Sequence, residues 1–287
     1  MKLIASDLDG TLLNEKGEIS ERNIQAIKNV TSKGIKFVVA TGRSYDAATK
    51  PLQNAGLSCP IISLNGATIY DQKHKLTNSI PMNRSTCERI LDICQDAQMY
   101  VEFFTNDGIY ATSRAFFEEV IEDIMKSANP DTSDEEIKEQ INQRFQNEKI
   151  HFRGDYEKLL GNDEIQIFKI LSSSLDKNTL EDVYRKLEYH SDIAITSSGY
   201  INLEFNHPNA QKGIALERLA EQIGISMDDV MALGDNLNDK SMLEKAGMGV
   251  AMGNAAEEIL QLCKYKTKTN EEDGVAYAIE EMLKELE

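Results

Sequence analysis

A chain of 287 residues has the length of one large domain or two ordinary ones, and either can bury a substantial core. Lys and Arg number 31 against 48 Asp and Glu, and the formal charge of −17 argues against a surface that grips a nucleic-acid backbone or adsorbs to an anionic membrane. The 41% hydrophobic content is that of a folded soluble protein, and no segment reaches the roughly 18 apolar residues a spanning helix needs.

The opening Met1-Lys2-Leu3-Ile4-Ala5 meets Asp7 and Asp9 at once, with no room for the apolar centre of a signal peptide, so a cytoplasmic, unanchored protein is expected. The four cysteines, Cys59, Cys87, Cys94 and Cys263, show no paired CxxC spacing; buried reduced thiols are expected, not a disulfide or a zinc site.

Along the chain, Lys2 to Ser6 reads as a short buried strand ending at a polar DLDGT turn. Ser20 to Lys33 reads as a helix, with Ser20 as its cap and Ile24, Ile27 and Val30 at helical spacing. The run Ile35 to Ala40 is the next strand, Ser44 to Asn54 the next helix despite Pro51, and Pro60 to Leu64 another strand. Strand and helix in alternation predict a parallel sheet covered by helices. Beyond Gly66 the rhythm changes. Thr68 to Tyr70 and Leu76 to Ile80 suggest antiparallel strands, and a helix follows from Ser85 to Gln98. A hairpin is expected around Asn106-Asp107-Gly108, then two amphipathic helices joined through Asn129-Pro130-Asp131. Strand, helix, strand, strand follow, the last from Tyr200 to Phe205. After His207-Pro208 the α/β rhythm returns: helix from Lys212, strand Val230 to Gly234, helix Asp239 to Ala246, strand Met248 to Met252, and helices Ala255 to Cys263 and Gly274 to Leu286. The pattern predicts an α/β domain over 1–82 and 191–287, interrupted by an α+β domain over 83–190.

The carboxylates carry the functional signal. Asp7 and Asp9 follow the first apolar strand, and Asp235 and Asp239 follow a much later one. Carboxyl ends of strands form the ligand crevice of an open parallel sheet, so folding can gather these acids at one place. Converging carboxylates repel unless a cation sits among them, and oxygen-only ligation points to a hard ion such as Mg²⁺. At the same level Thr41-Gly42-Arg43 offers a hydroxyl and exposed amides ahead of a helix, and Lys212 offers a positive charge. Together these make a site for a phosphoryl group bridged to Mg²⁺. No P-loop or GxGxxG fingerprint is present.

These residues resemble the four motifs of the haloacid dehalogenase superfamily, particularly its phosphatases with the type IIB (Cof-like) cap: Asp7-Leu8-Asp9-Gly10-Thr11, Thr41-Gly42-Arg43, Lys212-Gly213, and Gly234-Asp235-Asn236-Leu237-Asn238-Asp239. Further agreement lies at Asn65-Gly66-Ala67, at 246–254 and at 269–275, so the resemblance spans nearly the whole chain. It implies a Rossmann-like parallel-sheet core with an inserted α+β cap that selects the substrate. It implies that Asp7 is the nucleophile forming an aspartyl-phosphate and that Asp9 is the general acid and base. Phosphate would be held by Asp7, the backbone of Leu8 and Gly10, Thr41, Gly42, Lys212 and Asn238. Mg²⁺ would be held by Asp7, the Asp9 carbonyl and Asp235, with Asp239 supporting through water or Lys212. Arg43 either pairs with an acid or touches substrate; Asn65 either contacts the leaving-group side or folds its turn; Glu204 is either functional or structural. Phe103, Phe104, Tyr110, Phe116 and Phe117 read as cap core before pocket lining. Where the family often has glycine before the motif lysine this chain has Asn209, which tolerates a left-handed turn. The expected activity is Mg²⁺-dependent hydrolysis of small phosphomonoesters, sugar phosphates first, with flavin mononucleotide or pyridoxal phosphate as other substrates. A phosphosugar mutase and a non-catalytic phosphate- or metal-sensing protein stand as alternatives. The expected partner is a small phosphorylated metabolite, with no nucleic acid and no membrane; monomer and weak dimer are both open.

Overall fold

The computed structural model describes residues 1–128, 132–152, 156–197 and 201–286; the expected Asn129-Pro130-Asp131 link and Tyr200 lie outside these. The chain opens with β1 (Leu3–Ser6), α1 (Glu21–Ser32), β2 (Lys36–Ala40), α2 (Tyr45–Asn54), β3 (Ile61–Ser63), β4 (Thr68–Tyr70) and β5 (Leu76–Ser79). Both helices start as their sequences require: the Ser20 hydroxyl accepts the Asn23 N–H and the Ser44 hydroxyl accepts the Ala47 N–H, each satisfying a donor the first turn leaves free.

The next stretch contains α3 (Arg84–Asp96), β6 (Tyr100–Thr105), β7 (Gly108–Ala111), α4 (Arg114–Ala128), α5 (Asp134–Asn147), β8 (Ile150–Phe152), α6 (Tyr156–Leu160), β9 (Ile167–Ser173), α7 (Lys177–Leu187), β10 (Ala194–Thr196) and β11 (Asn202–Asn206). The chain closes with α8 (Lys212–Gln222), β12 (Val230–Gly234), α9 (Lys240–Lys245), β13 (Met248–Ala251), α10 (Glu257–Leu262), β14 (Tyr265–Lys266) and α11 (Gly274–Leu286).

Two compact units result, Met1–Ser79 with Asn209–Glu287, and Ile80–Pro208. In the first, eight strands run in the order β14-β13-β12-β1-β2-β3-β4-β5, parallel from β14 to β3 and antiparallel beyond. β1 lies between β12 and β2, with Ser6 opposite Leu233 on one side and Val39 on the other. Parallel strands covered on both faces have to be apolar throughout, and β1 and β12 are buried at every residue. Helices cover them: Ile27 and Val30 of α1, Leu216 of α8 and Ile279 of α11 share one core with Ile4 and Met231.

The second unit has its own sheet, ordered β10-β11-β9-β6-β7-β8. On one face Phe103, Ile170 and Phe205 pack with Ile90 and Cys94 of α3 and Val183 of α7. Elsewhere Tyr100 and Ala111 pack with Phe117 of α4 and Ile137 and Ile141 of α5. Phe103, Tyr110 and Phe117 are therefore core, while Phe104 is buried beneath the Lys169 ammonium, 4.5 Å from its ring centre. The Phe116 side chain lies outside what the structure describes.

One expected boundary needs correction. The inserted unit runs to Pro208, not to 190, because β10 pairs with β11 and β11 is hydrogen-bonded to β9 inside the second sheet. Three short elements, β8, α6 and β14, were also unforeseen. All four cysteines are buried and free. Among the described residues no helix is long and apolar enough to cross a membrane.

Candidate active site

The chemistry-bearing residues of the first unit lie where its strands end. Asp7 follows β1, and its N–H donates to Leu233 O at 3.0 Å, extending the β1–β12 ladder by one residue. The chain then turns tightly through Leu8 to Leu12 around Gly10, which has φ +74° and sits so close to Asp235 that a Cβ would overlap its carboxylate. Left-handed φ and close approach together require glycine there. Leu8 and Leu12 drop fully into the core, leaving Leu8 only its backbone for a ligand.

Lys212, the first residue of α8, is completely buried. Its ammonium donates to Asp7 Oδ1 at 2.7 Å and to Asp239 Oδ1 at 2.6 Å. The second Asp239 oxygen accepts the N–H groups of Asp235 and Asn236 at 2.9 and 3.0 Å, so this residue ties the lysine to the loop after β12. Thr11 Oγ1 donates to Asp235 Oδ1 at 2.9 Å. One carboxylate oxygen each from Asp7, Asp235 and Asp239 lies within 4.8 Å of the others.

Three carboxylates against one ammonium leave excess negative charge. Burial pushes the Asp7 carboxyl well above the ordinary range; Lys212 pulls it down, but Asp239, Asp235 and Asp9 add to the rise. Asp235 is lifted to about 6 by burial and Asp239, against the hydrogen bond from Thr11. Burial also works against the Lys212 charge, yet Asp239 and Asp7 outweigh it and hold the ammonium above its usual value, so the lysine is charged. An oxygen-only donor set with surplus negative charge fits a hard divalent cation, and this cluster is a divalent-metal site.

The Asp9 carboxylate is outside that cluster. Arg43 grips it as a fork, Nε to Oδ2 at 2.8 Å and Nη2 to Oδ1 at 2.5 Å, so of the two readings of Arg43 the pairing with an acid is the one recorded. Thr41 is buried at the end of β2, with its N–H on Ile62 O and its hydroxyl accepting the Arg43 N–H at 3.1 Å. Gly42 approaches Asn65, where a Cβ would stand 2.9 Å from Oδ1. Asn238 Nδ2 donates to the same oxygen at 3.4 Å. Glu204 is on β11 of the second unit, where it pairs with Lys169 at 3.1 Å and accepts from Thr196; that favours its structural reading. Asn209 is not among the left-handed residues, so the turn before Lys212 does not use the tolerance expected of it.

Sequence reasoning assigned no role to Thr11, Asn254 or Asn270. Asn254 Nδ2 donates to Gly10 O at 2.8 Å, its Oδ1 accepts the Asn270 N–H at 3.0 Å, and Asn270 Nδ2 donates to Leu13 O at 3.0 Å. This chain of amides pins the turn after Asp7 at its middle, Gly10, and just past its end, at Leu13. The available signal was their place in the motif stretches 7–11, 246–254 and 269–275, which by itself does not say what each side chain holds.

A Rossmann-like parallel sheet with an inserted α+β unit, carrying an aspartate cluster and buried lysine at its strand ends, defines a metal-dependent phosphohydrolase. The chain belongs to the haloacid dehalogenase-like hydrolases, whose family model matches residues 4–279. It is 36% identical to Phosphatase YwpJ of Bacillus subtilis (strain 168) over 99% of this chain and 100% of that one. It is also 36% identical to 5-amino-6-(5-phospho-D-ribitylamino)uracil phosphatase YwtE of the same organism, over 99% of this chain and 98% of the relative. A solved haloacid dehalogenase-like hydrolase from B. subtilis superposes with a TM-score of 0.87 at 36% identity, covering 98% of this chain and 99% of that one. The protein is a phosphatase of the Cof-like kind, hydrolysing small phosphoesters through its aspartate cluster.

Proposed function

We propose that the protein hydrolyses phosphate esters of primary alcohols on sugars or sugar alcohols, with Mg²⁺ as its metal and Asp7 as its nucleophile. The observation that carries this reading is the buried Asp7 carboxylate held by Lys212 beside Asp235 and Asp239. Asp7 attacks phosphorus in line, the bond to the ester oxygen breaks, and Asp9 gives its proton to the departing alcohol. Asp9 then takes a proton from water, whose oxygen attacks the same phosphorus, releasing phosphate and restoring Asp7. For either transfer Asp9 has to leave the Arg43 fork, and the half-exposed pair is a weak restraint. Lys212 offsets charge on Asp7 and the phosphoryl group, while Thr41, Asn238 and the backbone of Leu8, Gly10 and Gly42 receive phosphoryl oxygens. Asp7, the Asp9 carbonyl and Asp235 would hold Mg²⁺, with Asp239 acting through Lys212 or water. When bound, the ion supplies the charge neutralisation that lets a phosphate dianion approach these acids.

The leaving group is the business of the inserted unit, Ile80–Pro208. The relative named for a phosphoribitylamino-uracil supports a terminal phosphate on a polyol chain, which sugar phosphates share. The test is a panel containing hexose 6-phosphates, a ribitylamino-pyrimidine phosphate, flavin mononucleotide and pyridoxal phosphate, assayed with Mg²⁺ for wild type and Asp7→Asn. Inorganic phosphate released only by wild type supports the reading. Positional isomers of a hexose phosphate in place of free phosphate would make it a mutase, and no turnover of any ester would favour a sensing protein.

A further inference from the structure

The turn Leu64–Gly66 is more constrained than a connection between β3 and β4 requires. Leu64 and Asn65 both have left-handed φ, 50° and 56°, followed by Gly66 at 101°. A left-handed leucine is strained, and consecutive left-handed residues persist only where the surroundings impose them. Here three segments do. The Leu64 N–H donates to Arg43 O at 2.9 Å and the Asn65 N–H to Thr41 O at 3.0 Å, so the turn is fastened to both sides of Gly42. Gly66 lies against the segment that leads into Lys212, where a Cβ would stand 2.5 Å from Gln211 O. The buried Asn65 side chain accepts from Asn238 and fills the space beside Gly42. Asn238 keeps a buried Oδ1 with no hydrogen-bond partner among the described residues. A buried acceptor left unpaired is costly, and an amide held in that orientation is consistent with a donor delivered by a ligand or its water.

We propose that Asn65 is a positioning residue for phosphoryl transfer, setting the amide of Asn238 and its distance from the Thr41–Arg43 loop. This rests on the phosphatase reading above. The competing role, a residue that only permits the left-handed turn, is separable because glycine also permits that turn.

The experiment compares Asn65→Gly, Asn65→Asp, Asn238→Ala and the Asn65→Gly/Asn238→Ala double variant. Steady-state kinetics use p-nitrophenyl phosphate with Mg²⁺, melting temperature monitors folding, and the ¹⁵N spectrum without substrate follows the Asn238 side-chain amide. Asn65→Gly is expected to keep a near-wild-type melt, lower kcat by about 10- to 100-fold with little change in KM, and move the Asn238 signal. The double variant is expected to be no worse than the poorer single one. Asn65→Asp keeps the acceptor oxygen and tolerates the left-handed φ; it is expected to return the Asn238 signal and kcat toward wild type while its charge raises KM. Wild-type kcat in Asn65→Gly, multiplicative losses in the double variant, or an Asn65→Asp kcat as low as that of Asn65→Gly overturns the proposal. An inactive wild type counts against the phosphatase reading instead. In that case the Asn238 signal still decides, since a signal unmoved by Asn65→Gly overturns the positioning role.

Discussion

Asp7 and Lys212 are partners in one ion pair, yet their removal has opposite consequences. The site holds three carboxylates and one ammonium, and burial already disfavours the Asp7 charge. Asp7→Asn removes one negative charge and leaves Lys212 paired with Asp239. In EDTA this variant is expected to melt at or slightly above the wild-type temperature, and with Mg²⁺ present its turnover is expected to fall at least about 10⁴-fold below wild type for want of a nucleophile. Chelation is expected to stop the wild-type enzyme and added Mg²⁺ to restore it. Mg²⁺ should also raise the wild-type melting temperature more than that of Asp7→Asn, because only a site with its full charge rewards the ion. Near-wild-type hydrolysis by Asp7→Asn would refute the covalent route. Lys212→Met does the reverse: it keeps the volume and strands two buried acids. Breaking a buried pair from one side costs about 3–5 kcal/mol, and urea denaturation in EDTA should show a loss of that size. A change under about 1 kcal/mol would mean the acids are protonated or hydrated and do not depend on the lysine.

At the scale of elements, what the sequence made legible followed from local rules. Apolar runs bounded by Gly34, by the DLDGT turn and by GDNLND could only be short buried strands, and serine before an amphipathic stretch marked α1 and α2. Strand ends bearing Asp7, Thr41 and Asp235 then placed the site, because parallel strands present their carboxyl ends together. The second unit's limit was not legible. The stretches that became β10 and β11 read as strands, but the sheet they join did not show: β10 is hydrogen-bonded to β11, and β11 to β9 across a helix and a loop. The three-residue β8 and five-residue α6 are too short for any period to register. The side chain of Arg144 on α5 is likewise visible only in three dimensions. It donates to the fully buried Glu102 of β6 at 2.5 Å and to Glu148 at 3.0 Å, and lies 4.8 Å over the Phe117 ring. Tyr100 donates to the other Glu102 oxygen at 2.8 Å. Glu102→Ala leaves that guanidinium with Glu148 as its carboxylate partner among the described residues and is expected to cost about 3 kcal/mol of the second unit's stability. Replacing both partners, Glu102→Leu with Arg144→Met, should recover most of it. A double replacement as unstable as the single one would show that the network contributes more than its charge balance.

For the whole molecule, the two units carry separate cores, and the cysteines divide between them: Cys59 and Cys263 pack in the first, Cys87 and Cys94 in the second. Burial pushes the thiols of Cys59 and Cys87 up to about 12 and that of Cys94 to about 11, and Cys263 is raised in the same way. A thiol held near 12 is thiolate in roughly one molecule in ten thousand at pH 8, and alkylation needs both thiolate and access. The native protein is therefore expected to resist iodoacetamide at all four positions, and reaction at any of them reports the opening of its own core. Two cores joined by two crossings of the chain need not open together, whereas residues in one core do. Labelling across a urea series, read by mass spectrometry of the cysteine peptides, is expected to show Cys87 and Cys94 reacting with one midpoint and Cys59 and Cys263 with another. Glu102→Ala should shift only the Cys87 and Cys94 midpoint downward, and Lys212→Met only the other. If each substitution instead moves all four cysteines equally, the units unfold as one cooperative body despite their separate cores.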